Sequence, residues 1–384
     1  MKINYLFLTL LTLVGITFTS CIKEEADNME SDIVTATIEN ANKYLQTNAT
    51  VTTSSVFFRL KPDVTVTEFA PIFTLSEGAT ITPANGTKFD FSQGPVKYTV
   101  TSKDGRWRKV YTVSFLENSF IAKYSFENVK IVTNDDTSGI YNDFYDLLSN
   151  GKEKYDWATG NQGFDILAST LFENDPAMEG KEFGPDYYPT FSIPNGYQGK
   201  GVQMVTKDTG EMGTMFFAPL AAGNLYLGTF NFTIPAIKST RFGIPYTEGI
   251  DMPYSISGYF KYKAGKTFLN NSKDSKLTKD TWDAYAILFE AKEGDDNYLP
   301  GDHNFKDPRI VAVARIKDTD KIETNEWTKF EIPFELVSGK SVNVKEKKYM
   351  ITVVFSSSIE GNIFNGAVGS TLSIDEVEIN LEKN

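Results

Sequence analysis

Short runs of β-branched and aromatic residues, broken by turns rich in Gly, Pro and Asn, recur through most of the chain. Alternation of apolar and polar residues puts one set of side chains on each face of an extended backbone, which is the pattern of a half-buried strand. Val96-Lys97-Tyr98-Thr99-Val100 alternates in this way, Lys103-Asp104-Gly105 makes a turn, and Val110-Tyr111-Thr112-Val113-Ser114-Phe115 returns. Two such runs joined by a Gly-containing turn predict a β-hairpin. Ile33–Ile38 and Val51–Leu60 add further strands, and Ala84-Asn85-Gly86 is a strong turn signal. About seven strands in about 85 residues predict an immunoglobulin-like sandwich over 33–117. Beyond a boundary at 116–119, strands are predicted at Ser255–Tyr262, Ala284–Glu290, Ile310–Ile316, Thr328–Phe334, Tyr349–Ser356 and Thr371–Leu381. Long connections between them predict a larger jelly-roll β-sandwich over 118–384. Tyr141–Leu148 reads as a short helix. The expected fold class is all-β, an Ig-like sandwich followed by a jelly roll.

Composition supports strands and narrows function. Aromatics make up 14% of the 384 residues, with 29 Phe and 19 Tyr, and aromatic side chains favour strands. Lys and Arg total 38 against 50 Asp and Glu, a net charge of -12. Such a surface repels phosphates, and no basic stripe interrupts it, so nucleic acid is excluded as a partner. A single Cys allows no internal disulfide. The single His, His303, excludes a metal site built on several His and confines any His-dependent triad to this one residue. Gly301-Asp302-His303-Asn304 reads as a polar loop.

The first residues carry an address. Lys2 precedes Ile3–Phe18, which is apolar apart from Asn4, Thr9, Thr12 and Thr17. That is the h-region of a signal peptide spanning 1–20, and it is short for a permanent membrane span. In Phe18-Thr19-Ser20-Cys21, small residues precede a cysteine whose thiol can receive diacylglycerol, although Phe18 stands where a lipobox usually has Leu. Cys21 is therefore the expected lipidation site and membrane anchor. Residues 21–32 form an acidic tether with Glu24, Glu25 and Asp27. This resembles the export signal of Bacteroidetes lipoproteins that face outward from the outer membrane, and the same location is expected here.

Two stretches resemble known families. Thr74–Pro83, with Tyr98-Thr99-Val100 and Tyr111-Thr112-Val113, is similar to the small Ig-like spacer modules of Bacteroidetes surface proteins. The rest resembles the "putative carbohydrate metabolism domain" (PCMD) family of Bacteroidetes lipoproteins. The motifs are Ala221–Tyr226, Arg241–Tyr246, Ser257–Lys263, Val353–Ser358 and Gly366–Val377. The resemblance implies an Ig-like module before a jelly roll and a link to glycans. It supplies neither a reaction nor catalytic residues.

Candidate site residues follow from chemistry. Glycoside hydrolysis needs two carboxylates about 5–10 Å apart. The Glu-x-Asp-x-x-Glu pattern of one jelly-roll class is absent, and strict alternation puts Glu376 and Glu378 on one face with Asp375 on the other. No catalytic residue is assigned. Jelly-roll binding modules often hold a structural calcium between their first and last strands, and calcium takes six to eight oxygen ligands. Glu127, in Tyr124-Ser125-Phe126-Glu127, and Asp375, in Ile374-Asp375-Glu376-Val377, are the candidates. The Asp135-Asp136 and Asp295-Asp296 pairs read as loop acids. Sugar rings stack on flat aromatics while polar groups bind their hydroxyls. Aromatics in connections beside Asp or Asn are therefore candidates for glycan contact, namely Trp157, Tyr187, Tyr188 and Trp282, with Arg241 as a hydroxyl or carboxylate ligand. Trp327 reads as structural. The expected function is a surface lipoprotein that binds glycans and assists polysaccharide uptake. A glycoside hydrolase or lyase with an unrecognised site, and an adhesion protein, are the alternatives.

Overall fold

The computed structural model describes residues 30–45, 48–61, 64, 66–116, 120–134, 137–148, 151–215, 217–246, 252–292, 297–344 and 346–381. The expected signal segment, Cys21, Asp135-Asp136 and Asp295-Asp296 lie outside the described residues. Two compact units part after Leu116. Among the described residues no helix is long and apolar enough to cross a membrane.

The first unit is built on a five-stranded sheet in the order Thr50–Val51, Ser55–Arg59, Arg108–Leu116, Val96–Thr101, Thr80–Thr82. Its centre is the predicted hairpin, where Tyr98 faces Tyr111 and Val100 faces Lys109. Alternation buries Val56 and Phe58, Tyr98 and Val100, and Tyr111 and Val113. Phe115 stacks between Phe58 and Phe69, at 4.5 and 4.2 Å. Ile33–Thr37 pairs separately with Ile72–Leu75. In the turn, Asp104 Oδ1 accepts from Arg106 N at 2.9 Å and Ser102 Oγ from Trp107 N at 3.1 Å, which replaces backbone partners that the reversal removes.

The second unit is a sandwich of two sheets. In the first, β1 (Thr190–Ile193), β2 (Gly201–Val205), β3 (Ser255–Lys263), β4 (Thr324–Pro333) and β5 (Thr371–Asn380) run in the order β1-β2-β5-β3-β4, and Lys123–Tyr124 pairs with the far half of β5. The second sheet has Tyr349–Ser356 and Asp283–Glu290 at its centre, with Asn224–Phe230 and Ile310–Arg315 to either side. Between the sheets lies one core. Phe260, Tyr262, Leu372 and Ile374 enter it from one side, and Ala284, Ala286, Leu288, Ile351 and Val353 from the other.

A bulge sets the geometry of β5. Its register against β3 passes from Glu378 opposite Ser257 to Asp375 opposite Tyr259, so β5 carries one extra residue. Glu376, at φ 48°, absorbs it. Ile374 and Val377, three apart, both face the core as a result. This corrects the expectation from strict alternation: Asp375 and Glu378 share the outer face.

Two further expectations change. Tyr141–Leu148 is not helical. Gly139–Phe144 is a strand antiparallel to Val129–Asn134, and burial of Gly139, Asn142 and Phe144 answers to packing rather than helix propensity. Helix α1 instead spans Asn161–Asn174. Phe164, Leu167 and Ala168, at i, i+3 and i+4, form its buried stripe. Asn161 and Gly163 in the first turn disguise it. An added Cβ at Gly163 would meet the Phe230 ring at 3.0 Å, so a small residue is needed there.

Candidate functional site

The two sheets differ in what covers their outer faces. On the second sheet, Ile287 and Phe289 point away from the main core yet are fully buried. Leu299 and Phe305, from the long connection 291–309, pack over them with Phe242 and Met350. His303 belongs to this cover. Its Nδ1 accepts from Phe305 N at 2.9 Å, its ring lies 5.6 Å from Phe242, and burial pushes its pKa down to about 4. A neutral, enclosed imidazole is a packing residue.

The outer face of the first sheet is chemically mixed and partly open, with Lys329 and Glu331 exposed and Phe191, Gln203, Tyr259 and Lys261 half-buried. One row crosses four strands in register: Phe191 on β1, Gln203 on β2, Ser373 on β5 and Lys261 on β3. Gln203 Nε2 donates to Ser373 Oγ at 3.1 Å. Beside Lys261, β4 bulges, and the ammonium lies 4.9 Å from the centre of the Trp327 ring. In the next row stand Asp375, Tyr259 and Lys329. Ser257, Glu378 and Glu331 form a third. Above Tyr259 lies Tyr197, ring on ring, with centroids 3.5 Å apart and planes within 8°. Tyr197 remains 43% exposed, so the stacked pair keeps an aromatic surface in contact with solvent.

Tyr197 is delivered by the β1–β2 connection, Pro194-Asn195-Gly196-Tyr197-Gln198-Gly199-Lys200. Both predicted metal ligands act on this loop. Asp375 Oδ2 accepts from Gln198 N at 2.9 Å and Oδ1 from Glu376 N at 2.8 Å. Glu127 Oε1 accepts from Lys200 N at 2.9 Å, while Lys200 Nζ donates to the Glu127 carbonyl at 2.9 Å. The loop has no room for side chains at these contacts. A Cβ at Gly196 would lie 2.6 Å from Asp375 Oδ2, and one at Gly199, at φ 60°, would lie 2.1 Å from Glu127 Oε1. Desolvation raises the Asp375 pKa to about 6 despite its donors.

That arrangement does not fit the expected calcium. The carboxylates are met by backbone N–H groups, and the Lys200 ammonium sits on the Glu127 carbonyl, which would oppose a cation, whereas calcium needs a shell of oxygens. Among the described residues no group of three or more His, Cys, Asp or Glu could hold a metal ion. Glu127 and Asp375 are loop anchors.

The other predicted residues are scattered. Trp157 is 4% exposed, its ring held by Tyr124 at 5.0 Å and Phe126 at 5.5 Å. Trp282 is fully buried against Phe260 at 4.4 Å. Tyr188 is fully buried, and its hydroxyl donates to Asp165 Oδ1 at 2.5 Å. A ring without an open face cannot stack on a sugar, so these three are corrected to core residues. Tyr187 is half-buried against Phe172 and Phe183 beside α1. Arg241 lies on the second sheet with its guanidinium 5.0 Å from the Tyr298 ring centre. None of them joins the open face. Sequence reasoning missed Tyr197, Tyr259 and Lys261, and took Trp327 as structural. The signals were present: alternation in Ser257–Lys263 sets Tyr259 and Lys261 opposite Phe260 and Tyr262, and Tyr197 sits in a Gly-rich loop.

Other buried acids have structural partners. Asp280 Oδ2 accepts from Ser358 Oγ, Ser370 Oγ and Ala367 N, all within 2.7 Å, and joins three connections. Asp156 binds Lys154 at 2.6 Å, and neighbouring Asp146 is pushed up to about 7, by burial first and then by the Asp156 charge.

Comparison with known proteins places these features in a family. Residues 125–380 match the family described as "Putative carbohydrate metabolism domain", and residues 32–115 match "SGBP, N-terminal". No curated protein matches the chain. A crystal structure from Bacteroides thetaiotaomicron, described as a "putative glycoside hydrolase", is similar at 37% identity and a TM-score of 0.58, over 94% of this chain and 100% of that one. Another from Bacteroides vulgatus, described in the same words, shares 33% identity at a TM-score of 0.57, over 68% of this chain and 98% of its own. The chain is a member of the "Putative carbohydrate metabolism domain" family, carried behind an "SGBP, N-terminal" domain.

Proposed function

We propose that the protein binds glycans, without cleaving them, on the open face of the β1-β2-β5-β3-β4 sheet. The observation that carries this reading is the Tyr197–Tyr259 stack beside Lys261 and Trp327, on a sheet face where Lys329 and Glu331 are exposed, whereas Leu299 and Phe305 pack over the other sheet. Aromatic rings offer a flat apolar surface to sugar C–H groups, and Gln203, Lys329 and Glu331 stand within the same rows to meet hydroxyls. Family membership supports the carbohydrate link. The lipid anchor on Cys21 and a position on the outer membrane facing the exterior complete the proposal. They rest on the sequence of the first 27 residues, and with them the protein would serve a polysaccharide uptake system.

The test is binding of a soluble form, residues 22–384, to a polysaccharide panel, alongside Tyr197→Ala and Tyr259→Ala. Each substitution is expected to weaken binding roughly tenfold or more, since one base-sized ring stack contributes about 1–3 kcal/mol. Unchanged affinity in both variants would remove the site from this face. A second reading, hydrolysis, draws on the Asp146–Asp156 pair and the description shared by both relatives. Release of reducing sugar, abolished by Asp146→Asn, would establish it instead.

A further inference from the structure

We propose that the glycan is anionic, and that Lys261 is the residue that selects it. The inference rests on the sheet face being the glycan site. Lys261 is half-buried near one end of β3, and its ammonium is held over the Trp327 ring at 4.9 Å. Among the described residues no carboxylate stands within ion-pair distance of it, while several charged groups around it have partners. Glu376 meets Lys123 at 3.3 Å, and Glu331 meets Lys329 at 3.8 Å and Ser255 Oγ at 3.2 Å. Asp375 is occupied by backbone N–H groups. Glu323, beyond the end of β3, is bound to Lys279.

The face is therefore polarised. Lys261 and Lys263 lie at one end of β3, the tyrosine pair in the middle, and Glu331 and Glu378 at the other end. A lysine ammonium has three N–H donors and no acceptor. Contact with an indole face fixes its position without satisfying those donors. Two residues along a strand span about 7 Å. A sugar ring resting on the tyrosines thus brings a substituent on its rim to Lys261. The group that satisfies an unpaired ammonium held on a ring is an anion, carboxylate or sulfate. The net charge of -12 does not forbid this, because charges farther than about 8 Å are largely screened at physiological salt.

The experiment uses matched probes with the chain from residue 22: polygalacturonate against its methyl-esterified form, dextran sulfate against dextran, and a panel of other acidic and neutral polysaccharides. Lys261→Gln and Lys261→Arg are measured beside Tyr259→Ala. The expected result is that the bound glycans are acidic, that esterification or loss of sulfate abolishes capture, and that Lys261→Gln weakens binding roughly tenfold or more while Lys261→Arg largely restores it. The matched pairs tell uronate from sulfate. Capture of neutral glycans that depends on Tyr259 but not on Lys261 would overturn the inference and leave the glycan-binding reading intact. Lack of capture of any glycan would overturn both.

Discussion

Among single residues, His303 and Asp165 show how burial and partners decide what a polar side chain does. His303 has no acid partner at hydrogen-bond distance among the described residues, and its burial keeps it neutral. Its folded pKa, about 4, lies below the ordinary 6.5, so the unfolded chain binds the proton first as pH falls. The stability linked to this residue is present above pH 6.5 and is lost between 6.5 and 4, to an extent of about 3 kcal/mol. In His303→Asn, whose Oδ1 can still accept from Phe305 N, denaturation at pH 7 and pH 4.5 should differ less than in the natural protein by that order. Equal pH dependence in the two would show that His303 is not the group responsible. Asp165 is met by three side chains instead: Asn134 Nδ2 at 2.8 Å, Thr137 Oγ1 at 2.5 Å and Tyr188 OH at 2.5 Å. Asp165→Ala would strand these donors, and urea denaturation should show a loss of about 3 kcal/mol or more. At this scale the sequence reveals residue types but not their surroundings. Trp157 and Tyr197 both lie in Gly- and Asn-bearing stretches, yet one is sealed in the core and the other covers a sheet.

At the scale of elements, close approach of backbones is what fixes the second unit. Gly139, at the start of the strand Gly139–Phe144, lies against Asp165 on α1, and a Cβ there would fall 1.8 Å from Asp165 Oδ1. Gly139→Ala must push the hairpin from the helix, at a cost of about 1–3 kcal/mol. Faster amide exchange in both elements, measured in the folded protein, is the expected sign, and unchanged exchange would show that the contact is dispensable. Strands were legible where alternation is regular, as in Val96–Thr101 and Ser255–Lys263. It failed where packing overrode it: the extra residue in β5 reverses the faces beyond Glu376, and α1 opens with Asn161, whose amide pairs with the Thr190 backbone, and with Gly163, where the Phe230 ring occupies the space a side chain would need.

For the whole molecule, the two units have separate interiors, the first around Val56, Tyr98 and Val113, the second around Phe260, Trp282 and Phe355. A unit with its own core can fold alone. A fragment of residues 117–384 is expected to unfold cooperatively in calorimetry and to bind the same glycan as the longer chain. Loss of binding in a folded fragment would show that the first unit contributes to the site. The all-β class, the break near residue 116 and the lack of a second His are properties of pattern and composition, and the sequence by itself determined them, because alternation and residue counts do not depend on which segments meet. Tertiary structure alone decided which aromatics are open, since exposure depends on what packs over a ring. A loop pinned by Asp375 and Glu127 lays Tyr197 on Tyr259, a bulge sets Trp327 beside Lys261, and Leu299 and Phe305 cover the opposite sheet, so the proposed binding face is set by contacts between residues as far apart as Gln198 and Asp375.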